Sequence, residues 1–368
     1  SHQPTRSRLL RIAINTGGGD APGLNAVIRA ASLAAINLGW EVVGIRRGYQ
    51  GLFEEDGLVS LTRDSVRGIT HTGGTILGTT NRGNPLEWPV EGPNGEIQLV
   101  DRSEEVVTEF KRRGLDALIA IGGDGSLRIA SRLSEKGLPV VGVPKTIDND
   151  LAATQVTFGF HTAVETATDA ISKLHSTAES HSRVMVVEVM GRGAGWIALF
   201  AGLAGTADVI LIPEIPFRLD KVCEKIEDRY EGEVGFAIVV AAEGAFPEGG
   251  KTVLAEKGTA GRTERLGGIA NRLADEIGKR TGRETRSLAL GHLQRGGQPN
   301  AYDRLLALRF GAAAVNLVQD ACFGCMVALD PPEVLAVPLA EAVAKIKRVP
   351  LDGDVVRTAR SLGISFGD

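Results

Sequence analysis

The sequence predicts an α/β protein built from two similar three-layer α/β domains with mostly parallel sheets. Short β-branched runs alternate with longer stretches of helical periodicity, which is the pattern of repeated β-α units. The strand-like runs are apolar on both faces, as expected for parallel strands that helices cover on both sides. The length of 368 residues exceeds what one hydrophobic core usually supports, and therefore indicates two domains.

The alternation extends over most of the chain. The predicted strands are at 10–15, 41–45, 117–121, 140–143, 184–189, 209–212, 236–242 and 288–290. The predicted helices are at 24–38, 127–136, 197–203, 221–230 and 269–279. Two segments interrupt this pattern. Residues 84–103 contain three prolines and an Asn-Gly pair, which predicts an inserted surface hairpin, and the Gly-rich residues 246–263 predict a long loop.

Composition excludes several classes of protein. A net charge of −4 argues against a nucleic-acid partner, which usually requires a basic face. The chain has no apolar run near the roughly 18 residues that cross a bilayer, so we expect no membrane partner. The first six residues lack the apolar stretch of a secretory signal, and three cysteines are too few for a disulfide framework. We therefore expect a cytoplasmic protein.

Cys322 and Cys325 have the spacing of metal ligands. A structural zinc site needs a second pair of Cys or His ligands, and the sequence near these residues offers none. The pattern therefore favours buried thiols over a zinc site.

A glycine-rich loop, TGGGDAPGLN at residues 16–25, follows the first predicted strand and precedes the first helix. Backbone N–H groups in such a loop can face an anion, and the helix N-terminus adds partial positive charge. Leu24 and Asn25 stand where a Walker A loop needs Lys and Ser or Thr, and the dinucleotide-binding spacing also fails. The loop is a candidate phosphate cradle, and a tight turn without a ligand is the alternative.

A second loop, Gly122-Gly123-Asp124-Gly125-Ser126, also lies between a predicted strand and a helix. Open α/β sheets bind ligands at this edge, and a carboxylate among glycines can hold Mg2+. Asp124 is therefore a candidate metal ligand. Its alternative role is that of a helix cap.

The most specific loop is Pro144-Lys145-Thr146-Ile147-Asp148-Asn149-Asp150. Two carboxylates separated by one residue repel each other, so a simple turn does not explain them. In phosphoryl transfer to an alcohol, an Asp accepts the hydroxyl proton while basic residues and a metal absorb the charge of the transferred group. We expect Asp148 on an exposed loop that performs this role.

Basic residues occur in Gly-rich or motif-like settings further along the chain. Arginine suits bidentate capture of phosphate, and neighbouring glycines allow a ligand to approach. A single arginine is more often a surface ion pair, so their joint occurrence with the loops carries the argument. The residues are Arg183, Arg192, Arg286, His292 and Arg295.

With these motifs the chain resembles the phosphofructokinase family. The shared stretches are GGGDAPGLNAVIRA, GGDGS, PKTIDND, SHSRV with VMGR, and ETRSLALGHLQRGG followed by Tyr302-Asp303-Arg304. They occur in the order of the family over roughly residues 10 to 310. The resemblance implies transfer of a phosphoryl group to the 1-hydroxyl of fructose 6-phosphate in glycolysis.

The resemblance also implies roles for individual residues. Asp148 is the base, Thr146 and Asp150 flank it, and Arg192 stabilises the transferred group. Asp124 carries Mg2+, and the donor lies among Gly19, Arg82, Gly83, Gly123, Gly125 and Ser126. Arg183, Arg286, His292 and Arg295 hold the sugar phosphate, and Glu243, Met190 and Gly191 contact the sugar.

In the family, residues at the positions of Arg183 and Arg286 reach in from a neighbouring subunit. The resemblance therefore implies a homo-oligomer, a dimer or a tetramer, with shared active sites. It also implies a donor domain at residues 1–158 plus about 292–342 and a sugar-phosphate domain at 159–291 plus about 343–368. The active site is expected in the cleft between them.

Two positions bear on the phosphoryl donor. In this family Gly after the metal Asp accompanies ATP, whereas Asp accompanies pyrophosphate, and here the residue is Gly125. Lys145, however, matches the pyrophosphate enzymes. Because an Asp would repel the α-phosphate whereas a Lys only adds charge and can turn away, we expect ATP, with pyrophosphate as the alternative donor.

The motifs leave room for a different acceptor, a different kinase class or a loss of catalysis. A GGDG loop also occurs in NAD kinases and lipid kinases, which lack the remaining motifs, and a non-catalytic sensor of nucleotide or sugar phosphate would be expected to lose Asp124 or Asp148. Sedoheptulose 7-phosphate could be a second acceptor. Glu233-Val234-Gly235 replaces a basic run of the effector pocket in bacterial ATP enzymes, so we expect a weak response to ADP and phosphoenolpyruvate.

Overall fold

The computed structural model describes residues 9–259 and 264–368. Contacts divide the chain into two compact units. Unit 1 comprises Ser1–Thr146, Leu151–Phe158 and Gly297–Lys345, and unit 2 comprises Ile147–Asp150, Gly159–Gly296 and Ile346–Asp368.

The strands are, in chain order, β1 Arg11–Thr16, β2 Glu41–Ile45, β3 Leu58–Ser60, β4 Trp88–Glu91, β5 Ile97–Val100, β6 Ala117–Gly122, β7 Val140–Thr146, β8 Phe158–Gly159, β9 Val184–Val189, β10 Val209–Leu211, β11 Ala237–Ala242, β12 Leu254–Glu256, β13 Arg265–Leu266, β14 Thr285–Ala289, β15 Cys325–Asp330 and β16 Glu333–Pro338. The helices are α1 Leu24–Asn37, α2 Ser103–Arg112, α3 Asp124–Glu135, α4 Phe160–Ser180, α5 Trp196–Ala204, α6 Leu219–Tyr230, α7 Ile269–Thr281, α8 Ala301–Gln319, α9 Leu339–Ala342 and α10 Asp354–Ser361. Single 3-10 turns lie at Gln50–Phe53 and Gly291–Arg295.

The main sheet of unit 1 has the order β16-β15-β7-β6-β1-β2-β3, and β8 pairs with β7. Its central strands are parallel, and antiparallel pairs close both edges, β2 with β3 and β15 with β16. One face packs on α2 and α3 through a core that includes Phe110, Leu127 and Leu133. The helices α1 and α8 pack against each other, and α8 also packs on strands of the sheet. The close approach of the two helices needs Gly311, where a Cβ atom would lie 2.8 Å from the carbonyl oxygen of Val27.

The sheet of unit 2 has the order β10-β11-β9-β14, and all its neighbouring strands are parallel. One face packs on α6 and α7 through Ile226, Leu273 and Ile277, which are buried with alternate residues of the strands. The helices α4 and α5 also pack on this sheet. The predicted α/β fold with mostly parallel sheets is confirmed. In each unit, the carboxyl ends of several parallel strands therefore meet at one edge, where the loops of interest begin.

Of the two predictions for the segments that interrupt the β-α pattern, one is confirmed and the other was wrong in part. The predicted hairpin is confirmed, because β4 and β5 pair antiparallel around a turn in which Gly95 has a φ of 80°. The prediction of a long loop at 246–263 was wrong in part, since β12 lies within it and pairs with β13. Residues 260–263 of that segment lie outside the described residues.

Candidate functional site

The glycine-rich loop after β1 and the loop after β6 form one structure in unit 1. The backbone nitrogen of Gly17 donates a hydrogen bond to the carbonyl of Ile121 at 2.9 Å. The side chain of Ser126 covers both loops, so that a Cβ atom at Gly17 would lie 2.6 Å from its Oγ and one at Gly122 would lie 2.3 Å from its Cβ. Close packing therefore requires glycine at Gly122. At Gly17 the Oγ of Ser126 could rotate away, which would leave its Cβ 3.1 Å from the added atom, a tight contact.

Gly125 differs from these glycines. A Cβ atom at this position would meet no atom within 4 Å, and its φ is not in the left-handed region. Neither packing nor backbone conformation in the chain itself therefore explains the absence of a side chain. A ligand that occupies the space in front of Gly125 would explain it.

Asp124 is the first residue of α3, directly before Gly125. Its carboxylate is partly exposed, with 24% of the side chain accessible, and both of its oxygens accept hydrogen bonds from Arg128 at 3.1 Å. One carboxylate with access to solvent suits Mg2+, which commonly takes its remaining ligands from water and substrate phosphates. Arg128 is a neighbour of this site that the sequence motifs did not identify.

Lys145 is buried at the end of β7, and its ammonium group donates a hydrogen bond to the carbonyl of Gly19. The same loop is held from another side by Thr79, whose hydroxyl donates to the carbonyl of Gly18 at 2.6 Å. Lys145 therefore joins the end of β7 to the glycine-rich loop. Thr146, the last residue of β7, is also buried.

Arg82 and Gly83 lie beside the β4–β5 hairpin. Gly83 has a φ of 89°, and a Cβ atom there would lie 3.3 Å from the indole ring of Trp88. The guanidinium of Arg102 lies 5.0 Å from the centre of that ring, and Phe53 packs edge-on against it. The hairpin thus supports the turn that carries Arg82, which is itself exposed.

The segment Ile147–Asp150 continues from β7 and is counted with unit 2. The expectation of an exposed loop at this point was wrong, because Asp148 is 4% and Asp150 6% exposed. Between them Asn149 has a φ of 52°, in the left-handed region that Asn tolerates better than most residues. This conformation changes the direction of the backbone between the two aspartates.

Unit 2 brings together the ends of β9 and β11. The backbone nitrogen of Arg192 donates a hydrogen bond to Oε1 of Glu243 at 2.9 Å. Gly191 is required here, since its φ is 143° and a Cβ atom would lie 2.4 Å from the carbonyl of Ala194. Burial raises the pKa of the Glu243 carboxyl to about 7, the hydrogen bond from Arg192 lowers it in part, and the charge of Asp148 raises it again. Met190 adjoins this group at the end of β9.

His292 and Arg295 lie in the 3-10 turn after β14, at the same edge of the sheet. The turn is fixed by Gln294, which is fully buried and was not among the predicted residues. Its side chain accepts a hydrogen bond from the backbone nitrogen of Met190 at 3.2 Å and donates one to the carbonyl of Gly291 at 3.0 Å.

Arg183 and Arg286 are not part of this group. Arg183 precedes β9, and Arg286 stands beside Met185 in the parallel register of β14 and β9. Both arginines pair with Glu284, at 3.0 Å and 2.8 Å. They therefore lie near the amino edge of the sheet, about 17 Å along the strands from Met190 at roughly 3.3 Å per residue.

Two further residues next to these loops were not predicted from the sequence. Glu188, buried in β9, accepts hydrogen bonds from the backbone nitrogens of Gly268 and Ala270 and so caps the start of α7. Lys347 donates to the side chain of Asn149 at 3.0 Å. Both interactions join residues far apart in sequence, and no local motif marks either residue.

The cysteine pair was predicted as buried thiols. The two sulfur atoms lie 3.2 Å apart, and both residues are only partly buried. Within residues 9–259 and 264–368, no group of three or more His, Cys, Asp or Glu side chains is arranged to hold a metal ion. Within the same ranges, none of the helices is both long and apolar enough to span a membrane.

Comparison with known proteins gives the same family along the chain. The phosphofructokinase family model matches residues 11–318. The chain is 51% identical to ATP-dependent 6-phosphofructokinase 2 of Clostridium perfringens, over 97% of this chain and 98% of that protein. It is 54% identical to the pyrophosphate–fructose 6-phosphate 1-phosphotransferase of Amycolatopsis methanolica, over 93% of this chain and 96% of that protein.

The fold is shared with solved structures of the family. The structure of a pyrophosphate-dependent phosphofructokinase from Marinobacter aquaeolei matches with a TM-score of 0.79, covering 97% of this chain and 92% of that chain at 23% identity. Given this fold, the arrangement of its glycine loops and a family match across most of its length, the chain belongs to the phosphofructokinase family.

Proposed function

We propose that the chain catalyses Mg2+- and ATP-dependent phosphorylation of D-fructose 6-phosphate to fructose 1,6-bisphosphate. The observation that carries this proposal is the joint glycine cradle of β1 and β6, at whose rim Asp124 and the uncovered Gly125 lie. Such a cradle binds the phosphates of a donor through backbone nitrogens. Membership of the phosphofructokinase family supports fructose 6-phosphate as the acceptor.

Asp148 is the proposed base for the 1-hydroxyl of the sugar. In phosphoryl transfer the protein mainly positions the groups and stabilises charge, while a carboxylate accepts the proton of the attacking hydroxyl. Thr146 and Asp150 flank this carboxylate, and Arg192 is proposed to neutralise charge on the transferred phosphoryl group. Glu243, with its pKa near 7, is protonated below that pH and can then donate a hydrogen bond to a sugar hydroxyl.

Asp124 is the proposed ligand of Mg2+. The ion would supply charge neutralisation between the phosphates of the donor. Arg128 pairs with the same carboxylate, so binding of the ion would require this ion pair to open or to be shared.

ATP is the proposed donor, and two observations bear on it. The open space in front of Gly125 leaves room for a nucleotide, and Lys145, the feature shared with pyrophosphate enzymes, is engaged with the carbonyl of Gly19. Pyrophosphate is the second candidate, because Lys145 lies beside the cradle and a pyrophosphate-dependent relative is 54% identical.

A homo-oligomer with shared active sites is also proposed. Arg183 and Arg286 lie at the opposite edge of the unit 2 sheet from Met190, Glu243 and Arg295, so one chain does not gather all the predicted sugar-phosphate ligands. A neighbouring subunit that presents these two arginines would complete the set. A dimer or a tetramer meets this requirement. The cytoplasmic location, the weak effector response and sedoheptulose 7-phosphate as a second acceptor stay predictions.

The decisive experiment compares donors. Initial rates are measured with fructose 6-phosphate and Mg2+ in parallel reactions that contain either ATP or pyrophosphate. We expect turnover with ATP alone. Turnover with pyrophosphate alone would identify pyrophosphate as the donor. An absence of turnover with both donors would contradict the proposed enzymatic activity and favour a non-catalytic sensor of nucleotide or sugar phosphate.

A further inference from the structure

Lys347 is a partly buried lysine that lies outside every sequence motif. It stands between α9 and α10, in the segment Ile346–Asp368 of unit 2. Burial lowers the pKa of its ammonium group to about 8, and the charge of Asp150 opposes that shift. Removing an ammonium group from water is unfavourable, so its retention at this place calls for a specific interaction.

The interactions of Lys347 connect the loop of Asp148 to α5. Its Nζ donates a hydrogen bond to Oδ1 of Asn149 at 3.0 Å, and its backbone nitrogen donates to the carbonyl of Asp150 at 2.8 Å. Its own carbonyl accepts a hydrogen bond from Nε1 of Trp196 at 2.9 Å, and Nζ lies 5.4 Å from the centre of that ring. Lys347 thus holds two consecutive loop residues and is itself held by the first residue of α5.

Asn149 lies between the two buried aspartates, Asp148 and Asp150, and has a strained backbone conformation. Its left-handed φ of 52° is costly for most residues and persists only where the surroundings hold it. A relaxed backbone at Asn149 would rotate Asp148 and Asp150 relative to each other. The hydrogen bonds from Lys347 act on the side chain of Asn149 and on the carbonyl of the residue that follows it, and therefore oppose this relaxation.

We propose that the side chain of Lys347 is a positioning group of the phosphoryl transfer, which keeps the Asp148 carboxylate in place by fixing Asn149. The backbone bond from Lys347 to Asp150 does not depend on the side chain and is kept in variants at this position. The inference rests on the proposed role of Asp148 as the base. Lys347 acts through the loop and does not touch the reacting groups. Misplacement of a reacting group by about 1 Å can reduce a rate about 100-fold, so a residue of this kind can control turnover.

The kinetic test uses Lys347→Met, which removes the ammonium group and keeps an unbranched side chain, and Lys345→Met as the control on an exposed neighbour. We expect kcat to fall about 10- to 100-fold in Lys347→Met, with KM values for both substrates within about threefold, and no change in the control. Combined with Asp148→Asn, Lys347→Met should cause no additional loss. An equal loss in both backgrounds would show a general structural role and overturn the proposal.

A second measurement does not depend on activity. Hydrogen exchange of the backbone amides at residues 147–150 is compared in the wild type, Lys347→Met and Lys347→Arg. We expect exchange at least about tenfold faster in the Met variant, an intermediate rate in the Arg variant, and no change in β6. Unchanged exchange in the loop would overturn the positioning role. A wild type without activity that shows these exchange rates would refute the proposed function, and with it the positioning role, while the contact between Lys347 and the loop would stand.

Discussion

The backbone nitrogen of Arg192 donates a hydrogen bond to Oε1 of Glu243 at 2.9 Å, which ties the end of β9 to the end of β11. Burial raises the pKa of Glu243 to about 7 and outweighs this bond, which stabilises the ionised carboxylate and lowers the pKa in part. The two strand ends that we assign to the sugar site are therefore joined by a group that titrates near neutral pH.

The raised pKa of Glu243 makes stability depend on pH. Between the ordinary value of 4.5 and about 7, the folded protein holds a proton on Glu243 that the unfolded chain has lost, so stability contributed by this group declines as pH rises. Glu243→Gln removes this dependence. We expect the midpoint of thermal unfolding of the variant, relative to wild type, to be about 2 °C higher at pH 8 than at pH 5.

Differential scanning calorimetry at both pH values measures this difference. A difference that is the same at pH 5 and pH 8 would show that Glu243 ionises in the folded protein as it does in water. Glu248→Gln, an exposed carboxylate on the loop that follows β11, is the control and should show no pH-dependent difference.

Substitution by alanine should leave thermal stability nearly unchanged at Gly125 and lower it at Gly122. A Cβ atom at Gly125 meets no atom within 4 Å, whereas one at Gly122 would lie 2.3 Å from Cβ of Ser126. We expect Gly125→Ala to unfold within about 1 °C of wild type and Gly122→Ala to lose several degrees, because overpacking typically costs about 1–3 kcal/mol. Thermal unfolding without ligand tests this, and equal losses would contradict an open space at Gly125.

Gly125→Asp should impair the use of ATP. The added carboxylate enters the open space and repels the phosphates of the donor, while Gly125→Asn introduces nearly the same volume without charge. We expect kcat/KM for ATP to fall at least about tenfold further in the Asp variant than in the Asn variant. Steady-state kinetics with ATP and with pyrophosphate measure both donors. Equal losses in the two variants would assign the effect to volume alone.

The sequence predicted what is encoded locally. A strand, a glycine loop and a helix follow one another in β1 to α1 and in β6 to α3, so Asp124, Gly125 and the cradle could be located without coordinates. The role of Lys347 could not be predicted from the sequence, because its hydrogen-bond partner Asn149 lies 198 residues away. The burial of Asp148 was also missed, since a polar loop gives no local sign that distant segments cover it. The pattern also did not predict the helices α2, α4, α8, α9 and α10 or the strands β3, β15 and β16.

Asp148→Asn should remove most of the activity without loss of the fold. Because Asp148 is 4% exposed, the nearly isosteric Asn keeps the packing of the loop and removes the basic carboxylate. General base catalysis contributes about 10²- to 10⁴-fold, so we expect kcat to fall by that factor with the unfolding midpoint within a few degrees. A coupled assay or rapid-quench measurement gives kcat, and thermal unfolding gives the midpoint. Wild-type turnover in this variant would exclude Asp148 as the base.

Variants of Asp148 and Arg286 should complement each other if active sites are shared between subunits. Arg286 lies at the amino edge of the unit 2 sheet and Asp148 on the loop that follows β7, so in the proposed oligomer a site combines Asp148 of one subunit with Arg286 of another. We expect Asp148→Asn and Arg286→Ala each to be nearly inactive alone. After subunit exchange in an equimolar mixture, a hybrid dimer would hold one site with both native residues, which gives about a quarter of wild-type activity. Native mass spectrometry verifies that hybrids form, and an inactive mixture that contains hybrids would place both residues in the same subunit's site.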